Sequence, residues 1–151
     1  MAQPSSKTFP PNNAKGVVAD NFELVGHTDL GATDINAEVW VHENFAYVGT
    51  WLDPCERDDD GRGIKVIDVS DPANPTMTGR LAAIPGTFAQ DVAVRSVSTP
   101  SFTGDLLATG FQDCPDRRPQ DEAKYGVDLW NVTDLATPVH LAHLPISAGG
   151  D

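Results

Sequence analysis

Short apolar stretches alternate with turn-forming clusters along most of this chain, and no stretch sustains a 3.6-residue apolar period. The pattern predicts strands and turns, with no helix. Ala37-Glu38-Val39-Trp40-Val41 is followed by Phe45-Ala46-Tyr47-Val48-Gly49-Thr50-Trp51, then an acidic loop, then Ile64-Lys65-Val66-Ile67-Asp68-Val69. The same order returns as Gln90-Asp91-Val92-Ala93-Val94, Leu106-Leu107-Ala108-Thr109-Gly110-Phe111, a second acidic loop, and Val127-Asp128-Leu129-Trp130-Asn131-Val132. Each copy ends in one more strand-like stretch, residues 76–84 after Asn74-Pro75 and residues 139–146 after Thr137-Pro138. Two units of four short strands follow.

In this alignment Glu38 matches Asp91, Trp51 matches Phe111 and Asp68 matches Asn131, so the length changes fall in loops. Val66 and Ile67, Leu106 and Leu107, and Leu129 and Trp130 put apolar groups on both faces of their strands. Strands read this way when each sheet is covered on both sides. Four-stranded antiparallel sheets repeated at this interval predict an all-β chain of β-propeller blades, with a β-sandwich as the competing architecture. The expected organisation is a disordered Pro-rich leader over residues 1–20 and an orphan outer strand with its connection over 21–34. Blade 1 follows over 35–86, blade 2 over 87–147, and the start of a further connection over 148–151. Asn21-Phe22-Glu23-Leu24-Val25-Gly26-His27 resembles the fourth strand of an earlier copy. Two blades do not close a ring, so the expectation is a piece of a larger propeller, or self-association that covers the blade faces.

Ile64-Lys65-Val66-Ile67-Asp68-Val69-Ser70-Asp71-Pro72-Ala73-Asn74-Pro75 closely resembles the signature of the LVIVD-repeat family, and Ala46-Tyr47-Val48 resembles the strand that precedes it. Ala89-Gln90-Asp91-Val92-Ala93-Val94 is similar to the family's innermost strand. The second copy departs from the pattern with Trp130, Asn131 and Leu135, while Thr133-Asp134 and Pro138 keep its turn. The resemblance implies a propeller from a secreted or cell-surface protein, carries no catalytic residues with it, and makes Asp68, Asp71, Pro72, Pro75, Asp134 and Pro138 turn builders. Asp accepts local backbone N–H bonds and Pro presets φ, so these residues suit turns on chemical grounds too.

Charge narrows the partners. Asp and Glu number 22 against 10 Lys and Arg, a formal net charge of −12. Nucleic acid is excluded as a partner because phosphate contacts need a basic face, and an anionic membrane surface is disfavoured for the same reason. No apolar run is long enough for a transmembrane segment. The 13 Gly and 12 Pro match a turn-rich fold. Residues 1–15 contain no apolar core of a signal peptide, so an extracellular or cell-surface location implies an export signal outside this sequence.

The candidate chemistry is sparse. Cys55 and Cys114 occupy equivalent loops of the two units and form a candidate disulfide, which would staple two long loops in an oxidising compartment. Glu56, Asp58 and Asp60 put carboxylates at every second position before Gly61, a partial imitation of a calcium loop. Its first ligand is Glu and no Glu closes it, so a solvated acidic loop is the plainer reading. No cofactor is expected, with Ca2+ as the one candidate ion. Glu38 and Asp91 sit on the innermost strands, where they would line a central channel. His140 and His143, three apart on a strand, are expected on opposite faces, and His27 and His42 to stand alone. The serines fit no nucleophile elbow, no glycine loop suits a phosphate, and Asn131-Val132-Thr133 is a formal sequon within a strand. These features favour a non-enzymatic binding or scaffold module that presents acidic loops to a protein or carbohydrate partner. The alternative is a hydrolase or lyase with a metal or polar site near Glu38 and Asp91.

Overall fold

Eight strands and no helix form among the described residues of the computed structural model, which are 24–30, 35–51, 62–82, 84, 86–113 and 126–146. The strands are β1 (Ile35–His42), β2 (Phe45–Trp51), β3 (Ile64–Asp68), β4 (Thr76–Leu81), β5 (Thr87–Ser98), β6 (Thr103–Asp113), β7 (Gly126–Asn131) and β8 (Val139–Pro145). They form two four-stranded antiparallel sheets in the orders β1-β2-β3-β4 and β5-β6-β7-β8. Each is a simple meander, the form of a propeller blade. Among the described residues no helix is long and apolar enough to cross a membrane.

The two sheets pack face to face. Trp40, Phe45, Tyr47, Ile64, Val66 and Leu81 of blade 1 meet Ala89, Val92, Val94, Leu107, Phe111 and Val132 of blade 2 in one apolar cluster. Two features lock this contact. The Trp40 indole Nε1 donates to the Val94 carbonyl at 2.8 Å. Gly49 faces the β5 backbone so closely that a Cβ there would overlap the Gln90 carbonyl oxygen. A glycine is required because the neighbour is backbone, which cannot rotate away.

The repeat is stricter than the sequence alignment. In β1, Ala37 and Glu38 bulge opposite Gly49, and in β5 Gln90 and Asp91 bulge opposite Gly110. Thr78 is the extra residue of a bulge in β4, as Leu141 is in β8. Phe45 pairs with Asp68 as Leu106 pairs with Asn131. Trp51 therefore matches Gln112, and the alignment of Trp51 with Phe111 is corrected by one residue. Phe111 matches Thr50, and both are buried. A one-residue slip moves a side chain to the other face of a sheet, so only the ladder settles this point.

Of the region expected to hold an orphan outer strand and its connection, residues 24–30 are described, and they join neither sheet. Gly26 packs on the Pro72–Ala73 turn of blade 1, and Gly79 in β4 lines a cleft with Leu135 and Ala136 of blade 2. Leu30 joins Ala46, Val48, Ile67 and Val69 in a second apolar cluster on the face of blade 1 turned away from blade 2.

Candidate functional site

Local hydrogen bonding explains the Asp-rich turns. The Ser70 amide donates to Asp68 Oδ1 at 2.8 Å, and the Ala73 amide and Asn74 side chain donate to the Asp71 carboxylate at 3.0 and 2.7 Å. In blade 2 the Thr133 amide donates to Asn131 Oδ1 at 3.0 Å, and the Ala136 amide and Thr137 hydroxyl donate to Asp134 at 2.9 Å each. Bonds from Ser70 hold the Asp68 carboxyl below its usual range. Asn74 and Ala73 do the same for Asp71, as do Ala136 and Thr137 for Asp134. Pro72, Pro75 and Pro138 lie in the same turns.

These turns and the tight β1–β2 turn share one rim of the molecule, and a polar cluster forms there between the blades. His42 ends β1, Glu43 begins the β1–β2 turn, and Asp105 lies near the start of β6. His42 Nε2 stands 3.1 Å from Asp105 Oδ1 across the blade boundary. The Ser96 hydroxyl donates to the same carboxylate oxygen at 2.6 Å and lies 3.4 Å from His42 Nε2. Glu43 has φ 51°, a left-handed conformation that costs a non-glycine residue about 1 kcal/mol. Neighbours on a strand point to opposite faces, and this conformation is what turns Glu43 back toward His42. One ligand-type atom each from His42, Glu43 and Asp105 then falls within 4.8 Å of the others. The cluster stands at a cleft of about 320 Å³ that Tyr47, Thr133 and Asp134 also line.

The cleft is electronegative. Burial, with Asp105 and Glu43 nearby, pushes the Tyr47 phenol up to about 12, so it stays protonated. The hydrogen bond from Ser96, then that from His42, hold the Asp105 carboxyl below its usual range despite partial burial. Serine, histidine and aspartate meet here, yet they are not wired as a catalytic triad. A triad sets the hydroxyl against one imidazole nitrogen and the carboxylate against the other. Here Nε2 faces both, and the hydroxyl donates to the carboxylate instead of to the base.

A second cluster corrects the expectation for the histidines. The β8 bulge adds Leu141 between His140 and Ala142, which shifts the alternation by one and brings His140 and His143 to the same face. Asp128, only 2% exposed, lies between them. His140 Nε2 is 3.2 Å from Asp128 Oδ2, and His143 Nδ1 meets Asp128 Oδ1. Nor does His42 stand alone, since its partner comes from the other blade. No local pattern marks this pair, because 63 residues separate the two in sequence.

Glu38 and Asp91 are exposed on equivalent bulges of β1 and β5. Cys55, Cys114, Glu56, Asp58 and Asp60 lie outside the described residues.

No curated protein matches the chain. The LVIVD repeat model matches residues 36–54 and 58–83, which takes in all but the first residue of the four strands of blade 1. Blade 2 repeats that strand order, with bulges at the same places and the same side-chain-bonded turns. Blade 1 is thus an LVIVD repeat, and the chain as described is all-β, two four-stranded antiparallel sheets of the propeller-blade form.

Proposed function

We propose that the chain is a non-enzymatic binding module that presents its blade rim to a partner outside the cell or at its surface. The observation that carries this reading is the cleft between the blades, where Glu43, Asp105 and Asp134 gather carboxylates beside Tyr47. Such a cleft suits a cationic segment of a partner protein better than a neutral carbohydrate, because complementary charge speeds encounter and fixes register. The net charge of −12 supports the same preference. The location rests on the family resemblance. Further blades, of this protein or of a second copy, are the proposed cover for the open blade faces.

The hydrolase or lyase alternative near Glu38 and Asp91 has less support. The ligand-type cluster among the described residues lies at His42, Glu43 and Asp105, and the Ser96 hydroxyl beside it donates to Asp105 rather than to His42. Fluorescence anisotropy of Lys/Arg-rich peptides and of neutral oligosaccharides, each titrated with the full chain, tests the reading. The expected result is salt-sensitive peptide binding that weakens in Glu43→Gln and Asp134→Asn. Preferred binding of the oligosaccharides, or turnover of ester or glycoside substrates with no peptide binding, would overturn it.

A further inference from the structure

We propose that His42, Glu43 and Asp105 form a binding site for a divalent transition-metal ion, with zinc the closest match. The inference stands whether or not the cleft takes a protein partner. Three side chains from two blades each bring one ligand-type atom within 4.8 Å of the other two. Zinc bonds of 2.0–2.1 Å in tetrahedral geometry set ligand atoms roughly 3.3 Å apart. His42 Nε2 and Asp105 Oδ1, at 3.1 Å, already stand near that spacing. The ion would replace their mutual hydrogen bond, with Nε2 giving up its proton to become a ligand.

The donor set selects the class of ion. Calcium and magnesium prefer shells made of oxygen, whereas an imidazole nitrogen favours zinc and its neighbours. Two carboxylates balance the charge of a divalent cation. The Ser96 hydroxyl, 2.6 Å from Asp105 Oδ1, orients that carboxylate from outside the ligand set, and such outer partners are a usual part of metal sites. Three protein ligands leave a tetrahedral ion one open position beside the cleft, for water. The cluster gathered by Asp128 differs. Its two carboxylate oxygens each meet a different imidazole, Oδ2 that of His140 and Oδ1 that of His143, so the carboxylate is already spent on both histidines.

Isothermal titration of the full chain with zinc chloride near neutral pH tests the proposal, run beside His42→Ala, Glu43→Gln and, as a control, His27→Ala. The expected result is one site whose affinity falls at least about tenfold in each of the first two variants and is unchanged in the control. Cobalt in place of zinc should give visible absorption bands that fade in His42→Ala. Glu43 lies in an exposed turn, so Glu43→Gln keeps the fold and reads the site even if His42→Ala does not fold. No zinc binding by the wild-type chain overturns the proposal. Binding that survives Glu43→Gln at full affinity, or that is lost in His27→Ala, overturns it too.

Discussion

Blade 1 and blade 2 share their strand order, both bulges and both side-chain-bonded turns, yet they bury opposite charges at the same point. Lys65 pairs with Val48 on β2 and Arg80 on β4, and Asp128 pairs with Thr109 and His143 in the same register. Both are closed off from solvent, at 0% and 2% exposure. Lys65 Nζ donates to Asn36 Oδ1 at 2.8 Å, and Asp128 accepts from two histidines that the β8 bulge sets over it. The backbone of a blade thus creates a buried polar slot. The slot's chemistry is set by the side chains that arrive with it, because a buried charge is tolerated only with its own partners.

The sharpest way to break the likeness of the blades is at the paired glycines. Gly49→Ala drives a Cβ into the Gln90 carbonyl and must move one blade against the other, while at Gly110 nothing lies within 4 Å of the added carbon. Gly49→Ala should cost about 2–3 kcal/mol in urea unfolding. Gly110→Ala should be neutral or stabilising by up to about 0.5 kcal/mol, through the lost freedom of the unfolded chain. Equal effects would mean that the blades are not held together at Gly49. An assembly that docks a further blade on blade 2 should show Gly110→Ala weakening that association.

The buried slot gives the next largest contrast. Asp128→Ala should cost on the order of 2–3 kcal/mol, from the lost charge-assisted bonds and the cavity that remains. Asp128→Lys writes the residue of blade 1 into blade 2 and should cost more. An ammonium can only donate, and here it would sit against two imidazoles in a site built for an acceptor. A lysine variant as stable as the wild type in denaturant would show that the slot specifies no charge. The His42–Asp105 pair is a milder version of the same motif at the rim, with both side chains 19% exposed. Asp105→Ala should therefore cost about 1 kcal/mol or less.

What the sequence made legible follows from how locally each feature is encoded. Short apolar stretches between turn residues, repeated once, identified the eight strands, and the Asp and Pro spacing marked the turns that Asp71 and Asp134 close. Features that depend on a ladder or on the other blade were not legible. The extra residue Leu141 defeats the alternation rule for His140 and His143, and no propensity of a single leucine announces a bulge. The same reasoning covers Trp51 and Phe111, where the match hangs on a register that sequence blocks leave free by one position. Asp105 reaches His42 only because blade packing sets the end of β1 beside the start of β6, so the cluster at His42 has no motif to read.

The smallest expected effect is also the cleanest exchange between blades. Asp68 and Asn131 occupy the same position, and each accepts the amide two residues on, at 2.8 and 3.0 Å. Asparagine gives the turn its acceptor without a titrating group, so Asp68→Asn should leave the melting temperature at pH 7 almost unchanged. Acid separates the two. The folded state holds the Asp68 carboxyl below its ordinary value of 3.8, so the unfolded chain takes up its proton first as the pH falls. The stability tied to this ionisation is therefore complete above the unfolded pKa and is lost as the pH drops through the lower folded value. Melting curves from pH 7 to pH 2 should show Asp68→Asn losing less stability than the wild type below about pH 4. Asn131→Asp should lose more, because it installs in blade 2 the carboxylate that blade 1 carries. If both variants followed the wild-type acid limb, the turn at Asp68 would be held by its backbone path, and its carboxylate would contribute nothing that an amide does not.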